Sequence, residues 1–228
     1  MNNNSIAEIN KDYNELQMVL RGIAHEMGNA LTVMGYSLKS LGKNDLVREN
    51  ENWNYLNEDF DYICRLFRNL SAYNNGKELD LEEFCLNHVL ESTVYKFRDE
   101  YKSNGVKISF LASKDYIITG DKTKLNQVFI NIIKNAYEAI VYKQCDGKIE
   151  IQMYDDYEYI FVKISDNGCG MSKECIEKIF NPLYTSNKDG GTGLGLPVCK
   201  KIIESHGGNI QVYSKEDNGS QFIISIKK

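Results

Sequence analysis

Several side chains in this sequence are spaced for chemistry. His25 is followed by Glu26, and Asn29 stands four residues on, one helical turn along the same face. An imidazole exposed at neutral pH offers a free ring nitrogen for attack, and a neighbouring carboxylate can orient the other N–H or take a proton. Asn131 and Asn135 are also four apart, so both amides project from one helix face. Amide oxygens suit Mg2+, a hard cation that shares its coordination with substrate phosphates. Asp166-Asn167-Gly168-Cys169-Gly170 puts a carboxylate at a strand end, where it can accept a hydrogen bond from an exocyclic amine. Gly168 and Gly170 would let backbone approach a ring closely. Gly190-Gly191-Thr192-Gly193-Leu194-Gly195-Leu196 opens a helix, and N–H groups at a helix N-terminus cradle phosphate. It is no Walker A loop, since no Gly-Lys-Ser/Thr follows, and no Rossmann fingerprint, since no strand feeds it. Singly, each has an ordinary reading: a solvated histidine, a polar helix stripe, a turn.

The elements that must position these groups fall into two kinds. Ile6, Ile9, Tyr13, Leu16, Leu20, Ile23 and Met27 alternate steps of three and four, a heptad seam that continues through Leu31, Met34, Leu38 and Leu41. Ser5-Ile6-Ala7-Glu8 reads as a capping box for this first helix. Its steps 23, 27, 31 are a stutter. With Leu20 at position a, His25 falls at f, opposite the seam. Lys43-Asn44-Asp45 reads as a turn, and a second helix follows with Trp53, Leu56, Phe60, Ile63, Phe67 and Leu70 inward. Such a hairpin has one apolar face, so a homodimer forming a four-helix bundle is expected. The boundary is placed at Asn74-Asn75-Gly76, giving domains 1–75 and 76–228.

The second part alternates periods. A helix is expected over 86–103, strands over 106–111 and 116–119, and a helix capped by Asp121 running to about Tyr142. Strands follow around Ile149–Met153 and Ile160–Ile164, then a helix from Gly195 to Ser205 ending at His206-Gly207-Gly208, and two strands flanking Asn218-Gly219. The fold class is α+β: one sheet with helices on one side, an α/β sandwich.

Composition excludes other classes. The 228 residues are 42% apolar and 26% charged, the balance of a folded chain, with net charge −5 and pI about 5.4, which disfavours nucleic acid as a partner. No apolar run reaches membrane-spanning length and no leader is evident, so a cytoplasmic protein is expected. Six scattered cysteines and three histidines show no zinc or disulfide spacing. His88, His206 and Cys169 read as structural, and Trp53 as core.

The order of motifs adds what none carries alone. His-Glu-x-x-Asn, NxxxNA, DxGxG, FNPLYTS and GTGLGL, in that succession over residues 16–227, resemble the sensor histidine kinases. The resemblance implies His25 as phosphoacceptor with Glu26 as base or orienter, and Asn29 as the residue that orients water in the reverse, phosphatase reaction. It implies Asn131 and Asn135 as an N box holding Mg2+, and Asp166, Gly168 and Gly170 as the adenine end of an ATP site of GHKL type. Phe180 to Ser186, with Thr185, Ser186 and the displaced Lys188, resembles the F box. Gly191, Thr192, Gly193, Leu194 and Gly195 resemble the second glycine box. The proline usual after the acceptor motif is replaced by Ala30, leaving the stutter and Gly28 as candidate origins of a kink. By this likeness the chain uses ATP and Mg2+, phosphorylates His25 and passes the group to an aspartate of a response regulator receiver domain. A separate sensor or regulatory protein would supply the input. Two alternatives are weighed: a phosphorelay phosphotransferase with little autokinase activity, and a GHKL-type serine kinase or anti-sigma binding module, which lacks a histidine-bearing hairpin.

Overall fold

The computed structural model describes residues 26–75, 79–185 and 192–228. His25, the capping box at residues 5–8 and the early seam lie outside the described residues, as do Ser186, Lys188, Gly190 and Gly191.

Helix α1 covers 26–41, and after a turn come the short α2 (Asp45–Arg48) and the long α3 (Asn52–Asn75). The α1–α3 contact differs from the expected seam. The half-buried positions of α1 are Gly28, Leu31, Gly35 and Leu38, with Gly42 just beyond it, while Met27, Met34 and Leu41 are exposed. Each of those glycines faces a ring. A Cβ on Gly28 would lie 3.2 Å from Phe67, on Gly35 3.4 Å from Phe60, and on Gly42 2.8 Å from Trp53. Rows of glycine and aromatic, each spaced by seven, run antiparallel, so Gly28 is a socket for Phe67.

The remainder runs β1 (Glu82–Cys85), α4 (Leu86–Ser103), β2 (Val106–Ala112), β3 (Ile117–Gly120), α5 (Lys122–Lys143), β4 (Gly147–Asp155), β5 (Tyr159–Asp166), α6 (Lys173–Lys178), α7 (Gly195–Ser205), β6 (Asn209–Ser214) and β7 (Ser220–Lys227). Two sheets are present where one was expected. The main sheet has strand order β2-β4-β5-β7-β6, and β1 pairs with β3 in a separate ribbon. The buried Asn87 amide donates to the Lys114 carbonyl at 2.9 Å and accepts from Tyr116 N at 3.0 Å, which fixes the approach to β3.

Strands β2 and β4 are parallel, and the crossover between them contains α5, as a parallel pair requires. The other neighbours in the main sheet are antiparallel. Alternate residues of β4, β5 and β7 (Ile149, Ile151, Ile160, Val162, Ile164, Phe222, Ile224, Ile226) form the sheet side of the core. The facing layer is helical: Leu86, Leu90 and Val94 of α4, Leu125, Val128, Phe129, Ile132, Ile133 and Ile140 of α5, and Val198, Ile202 and Ile203 of α7. α5 and α7 pack on each other across this layer. The polar groups that matter sit where these two helices and strand β5 leave the core.

Candidate functional site

Asp166 closes β5 with its side chain turned into its own loop. Its Oδ1 accepts from Gly168 N at 2.8 Å and Ser220 N at 3.2 Å. Among the described residues, none is bonded to Oδ2. Burial pushes the Asp166 carboxyl above the usual aspartate range, and the two N–H donors and the Lys143 charge work against that rise. The loop beneath it is fixed on all sides. Cys169 N donates to Ala139 O of α5 at 3.1 Å, and Asp217 N donates to Cys169 O at 2.7 Å. Asn167 accepts from Lys148 N at 2.8 Å and donates to Asp146 O at 2.9 Å.

The glycines here serve the loop itself. A Cβ on Gly168 would lie 2.7 Å from Ala139 of α5, and one on Gly170, whose φ is +67°, would lie 2.0 Å from the Lys215 carbonyl oxygen. Gly219, at φ +81°, would clash with the Asp166 carbonyl oxygen at 2.0 Å. The space the sequence assigned to a ring at Gly168 and Gly170 is thus taken by the protein's own backbone.

The second half of the site lies along α5. Asp121 caps this helix by accepting from Lys124 N at 2.9 Å. Asn131 and Asn135 are half-buried. Asn131 Nδ2 donates to Cys199 Sγ at 3.7 Å, which leaves Asn131 Oδ1 and the whole Asn135 amide without a bonded partner among the described residues. Gly195 opens α7 beside them, and a Cβ there would lie 3.9 Å from Asn131 Nδ2. The Cys199 thiol is fully buried and burial pushes it up to about 12, so it acts as filler.

Ahead of α7, Thr192 Oγ1 accepts from Leu194 N at 3.3 Å. Gly193 has φ +63°, and a Cβ on it would sit 2.5 Å from the Leu183 carbonyl carbon. Leu183 N donates to Gly193 O at 2.9 Å, with Leu183 at φ +65°. The FNPLYTS segment and the glycine loop are therefore joined backbone to backbone. Phe180 packs on the core with the Lys200 ammonium 5.5 Å from its ring centre. Thr185 is exposed.

The two halves meet α5 at Ala139 and at Asn131, a little over two turns apart, or about 12 Å along the helix axis. A half-buried carboxylate with one oxygen unbonded among the described residues lies at one end, and amides with a helix N-terminus at the other. Comparison with known proteins fits this layout. The family described as "Histidine kinase-, DNA gyrase B-, and HSP90-like ATPase" matches residues 120–228. The catalytic domain of histidine kinase ThkA is 34% identical with a TM-score of 0.59, covering 65% of this chain and 96% of that one.

The chain belongs to the sensor histidine kinase family.

Two further relatives extend the likeness beyond the ATPase-like part. Sporulation kinase A of Bacillus subtilis (strain 168) is 32% identical over 209 residues, covering 91% of this chain and 34% of that protein. The structure of histidine kinase ThkA in complex with the response regulator protein TrrA is 28% identical with a TM-score of 0.65, covering 96% of this chain and 64% of that one. The chain spans between a quarter and a half of the length of the curated relatives it matches. Set in this family, the hairpin residues Glu26 and Asn29 are exposed on α1. Among the described residues no helix is long and apolar enough to cross a membrane.

One residue read as merely structural has a larger part than its spacing suggested. His206, at the C-terminal end of α7, accepts from Asp121 N through Nε2 at 2.9 Å and bonds Ile202 O through Nδ1 at 2.7 Å. A neutral imidazole with the proton on Nδ1 satisfies both. It ties the start of α5 to the end of α7. Nothing in sequence spacing joins residues 121 and 206; the only local sign was a histidine placed just before a Gly-Gly cap.

Proposed function

We propose that this chain is an ATP-dependent protein-histidine kinase, with residues 1–75 carrying the phosphoacceptor His25 on a dimerising hairpin and residues 76–228 binding ATP. The observation that carries this is the Asp166 carboxylate: Oδ1 bonded by two backbone N–H groups, Oδ2 without a partner among the described residues, and the whole group held above its usual titration range by burial. A half-buried acceptor left open belongs where a ligand donates. The exocyclic amine of adenine is such a donor, and about two turns of α5 then separate it from the amides at the other end.

The chain's own groups divide the work. Asp166 accepts from adenine and sets its register. The N–H groups at the start of α7, with Thr192, Gly193, Leu194, Gly195 and the adjoining Gly191, receive the phosphate oxygens. Bulky residues there would block the contact. Thr185, Ser186 and Lys188 are the residues that the family likeness assigns to the γ-phosphoryl end. Asn131 and Asn135, half-buried four residues apart on α5 with amide oxygens unbonded among the described residues, are the groups that would hold Mg2+. When bound with ATP, Mg2+ would neutralise charge on the phosphate oxygens. A ring nitrogen of His25 attacks the γ-phosphorus in line, the bond to the bridging oxygen breaks, ADP leaves, and Glu26 orients the ring or takes its proton.

The hairpin supports the remaining steps. Met27, Met34 and Leu41 on α1 and Leu56 and Ile63 on α3 are exposed and repeat every seven residues. A second copy of the chain would cover these rows and complete a four-helix bundle. Phosphoryl transfer then runs from His25 to an aspartate of a response regulator receiver domain docked on the bundle. The ThkA–TrrA complex makes that geometry credible for a chain of this build. Asn29, exposed one turn from His25, is placed to orient water in the reverse, phosphatase direction.

Labelling with γ-labelled ATP tests the reading. The expected product is an acid-labile, base-stable phosphoprotein that is lost in His25→Gln while nucleotide affinity is kept. Acid-stable label would point to a serine kinase, and no label with ATP alone to a relay phosphotransferase.

A further inference from the structure

Lys143 ends α5, and its ammonium reaches over the Asp166 loop. It donates to the Asp217 carbonyl at 2.7 Å and to the Asn167 carbonyl at 3.2 Å, so one side chain joins α5, the residue after Asp166 and the β6–β7 turn. Both acceptors are neutral, so no carboxylate oxygen cancels its charge directly. That leaves a full positive charge in the second layer behind a half-buried carboxylate. We propose that Lys143 is a positioning residue for nucleotide binding: it closes the loop that holds Asp166 and sets a positive charge behind that carboxylate.

The proposal rests on Asp166 accepting from the adenine amine. Burial favours the protonated carboxyl, and a protonated Asp166 would meet an amine donor with a donor of its own. Lys143 is the cation whose charge opposes this effect at Asp166. The other ionisable side chains around the loop are Cys169 within it, Asp146 and Lys148 at the start of β4, and Lys215, Glu216 and Asp217 in the β6–β7 turn. Burial raises the Cys169 thiol, which leaves it neutral, and Lys143 is the charged side chain of this set that acts on the Asp166 carboxyl. The sign follows. Affinity for nucleotide is full above the Asp166 titration and lost as pH falls through it. Without the Lys143 charge that titration moves upward, so affinity is lost earlier on the way down.

Titration calorimetry of the full chain with Mg·ADP from pH 4 to pH 8 reads this directly. Lys143→Met and Lys143→Gln are each expected to move the affinity midpoint upward, by roughly one pH unit at most, with the largest loss of affinity, roughly 3–10-fold, at pH values around the wild-type midpoint. Lys143→Arg should restore the wild-type profile. Lys143→Gln keeps a donor for a carbonyl without the charge, so it separates the electrostatic part from loop closure and remains informative if Lys143→Met folds poorly. A uniform loss at every pH, with the midpoint unmoved in both neutral variants, would reduce Lys143 to a structural tie and overturn the proposal. Asp166→Asn keeps the two readings apart. A pH-independent profile in that variant supports the Asp166 reading whatever Lys143 does, whereas an Asp166→Asn profile identical to wild type removes Asp166 itself from the site.

Discussion

Replacing Asp166 by asparagine should move two observables in opposite directions. In the native loop Oδ1 accepts from Gly168 N at 2.8 Å and from Ser220 N at 3.2 Å, and an asparagine Oδ1 can take both bonds unchanged. The fold therefore loses no partner. It also sheds a carboxylate whose ionised form burial disfavours, so stability at neutral pH should hold or rise slightly. The binding side loses more. An amide Nδ2 replaces Oδ2 and presents hydrogens to a donor amine, forfeiting a hydrogen bond to a charged group worth about 1.5–3 kcal/mol. That corresponds to roughly 10–100-fold weaker nucleotide affinity. Urea unfolding at pH 7.5 and Mg·ADP titration on the same preparation measure the two effects. A variant destabilised by more than about 1 kcal/mol would show that the charge itself holds the loop, and unchanged affinity would show that Oδ2 faces no ligand. Either result refutes the reasoning, because both follow from the same arrangement of two oxygens.

Three other outcomes follow from the same contacts. His206→Ala leaves the Asp121 N–H and the Ile202 carbonyl without the imidazole, at a cost of about 2 kcal/mol in urea unfolding; a loss under about 0.5 kcal/mol would mean that solvent replaces the ring freely. Among the hairpin glycines, Gly42→Ala should be the most harmful, since its Cβ would stand 2.8 Å from Trp53 against 3.2 Å and 3.4 Å at Gly28 and Gly35. At Gly28 and Gly35 a gain of about 1 kcal/mol in helix propensity offsets the contact, and equal melting of all three variants would contradict this order. Lys228 and then Lys114 hold the Asp155 carboxyl down to about 2, so its contribution is full above the unfolded aspartate value and disappears as pH falls from about 4 through about 2. Asp155→Asn should flatten the acid limb of the stability curve in that window, and an unchanged limb would show that the two lysines do not stabilise the charge.

What was legible in the sequence, and what was not, follows from which forces each element obeys. Helix α5 and its Asp121 cap, helix α7 from Gly195 to Ser205, and the alternating strands β4 and β5 were readable because apolar period and cap chemistry are local. Strand β1 was not, because Glu82-Glu83-Phe84-Cys85 has no alternation and takes its form from pairing with Ile117–Gly120. The short α6, capped by Ser172, was too brief to show a period. The contact between α1 and α3 was hidden for a different reason. Apolar patterns count side chains, so a row of glycines receiving Phe67, Phe60 and Trp53 is silent in the sequence. In the site, the chemical residues were visible through type and order, while Lys143 and His206 were invisible as partners because their bonds reach 74 and 85 residues away.

The exceptions to folding rules gather on one side of the molecule. The core between sheet and helices obeys them: its strands alternate, and its buried Asn87 has both an acceptor and a donor. At the α5–α7 end, Leu183 stands in a left-handed conformation that costs a branched side chain about 1–2 kcal/mol, and it is exposed besides. Asn135 is half-buried without a bonded partner among the described residues, and Asp166 keeps one oxygen open against the pull of burial. None of these improves the stability of the chain alone. Each becomes reasonable when a ligand supplies the missing partner: a donor for Asp166 and a cation for the amides. The motifs are patterns of residue type, whereas the left-handed Leu183 and the open Asn135 and Asp166 groups are properties of the folded chain, so they support the proposed nucleotide site separately from the order of motifs.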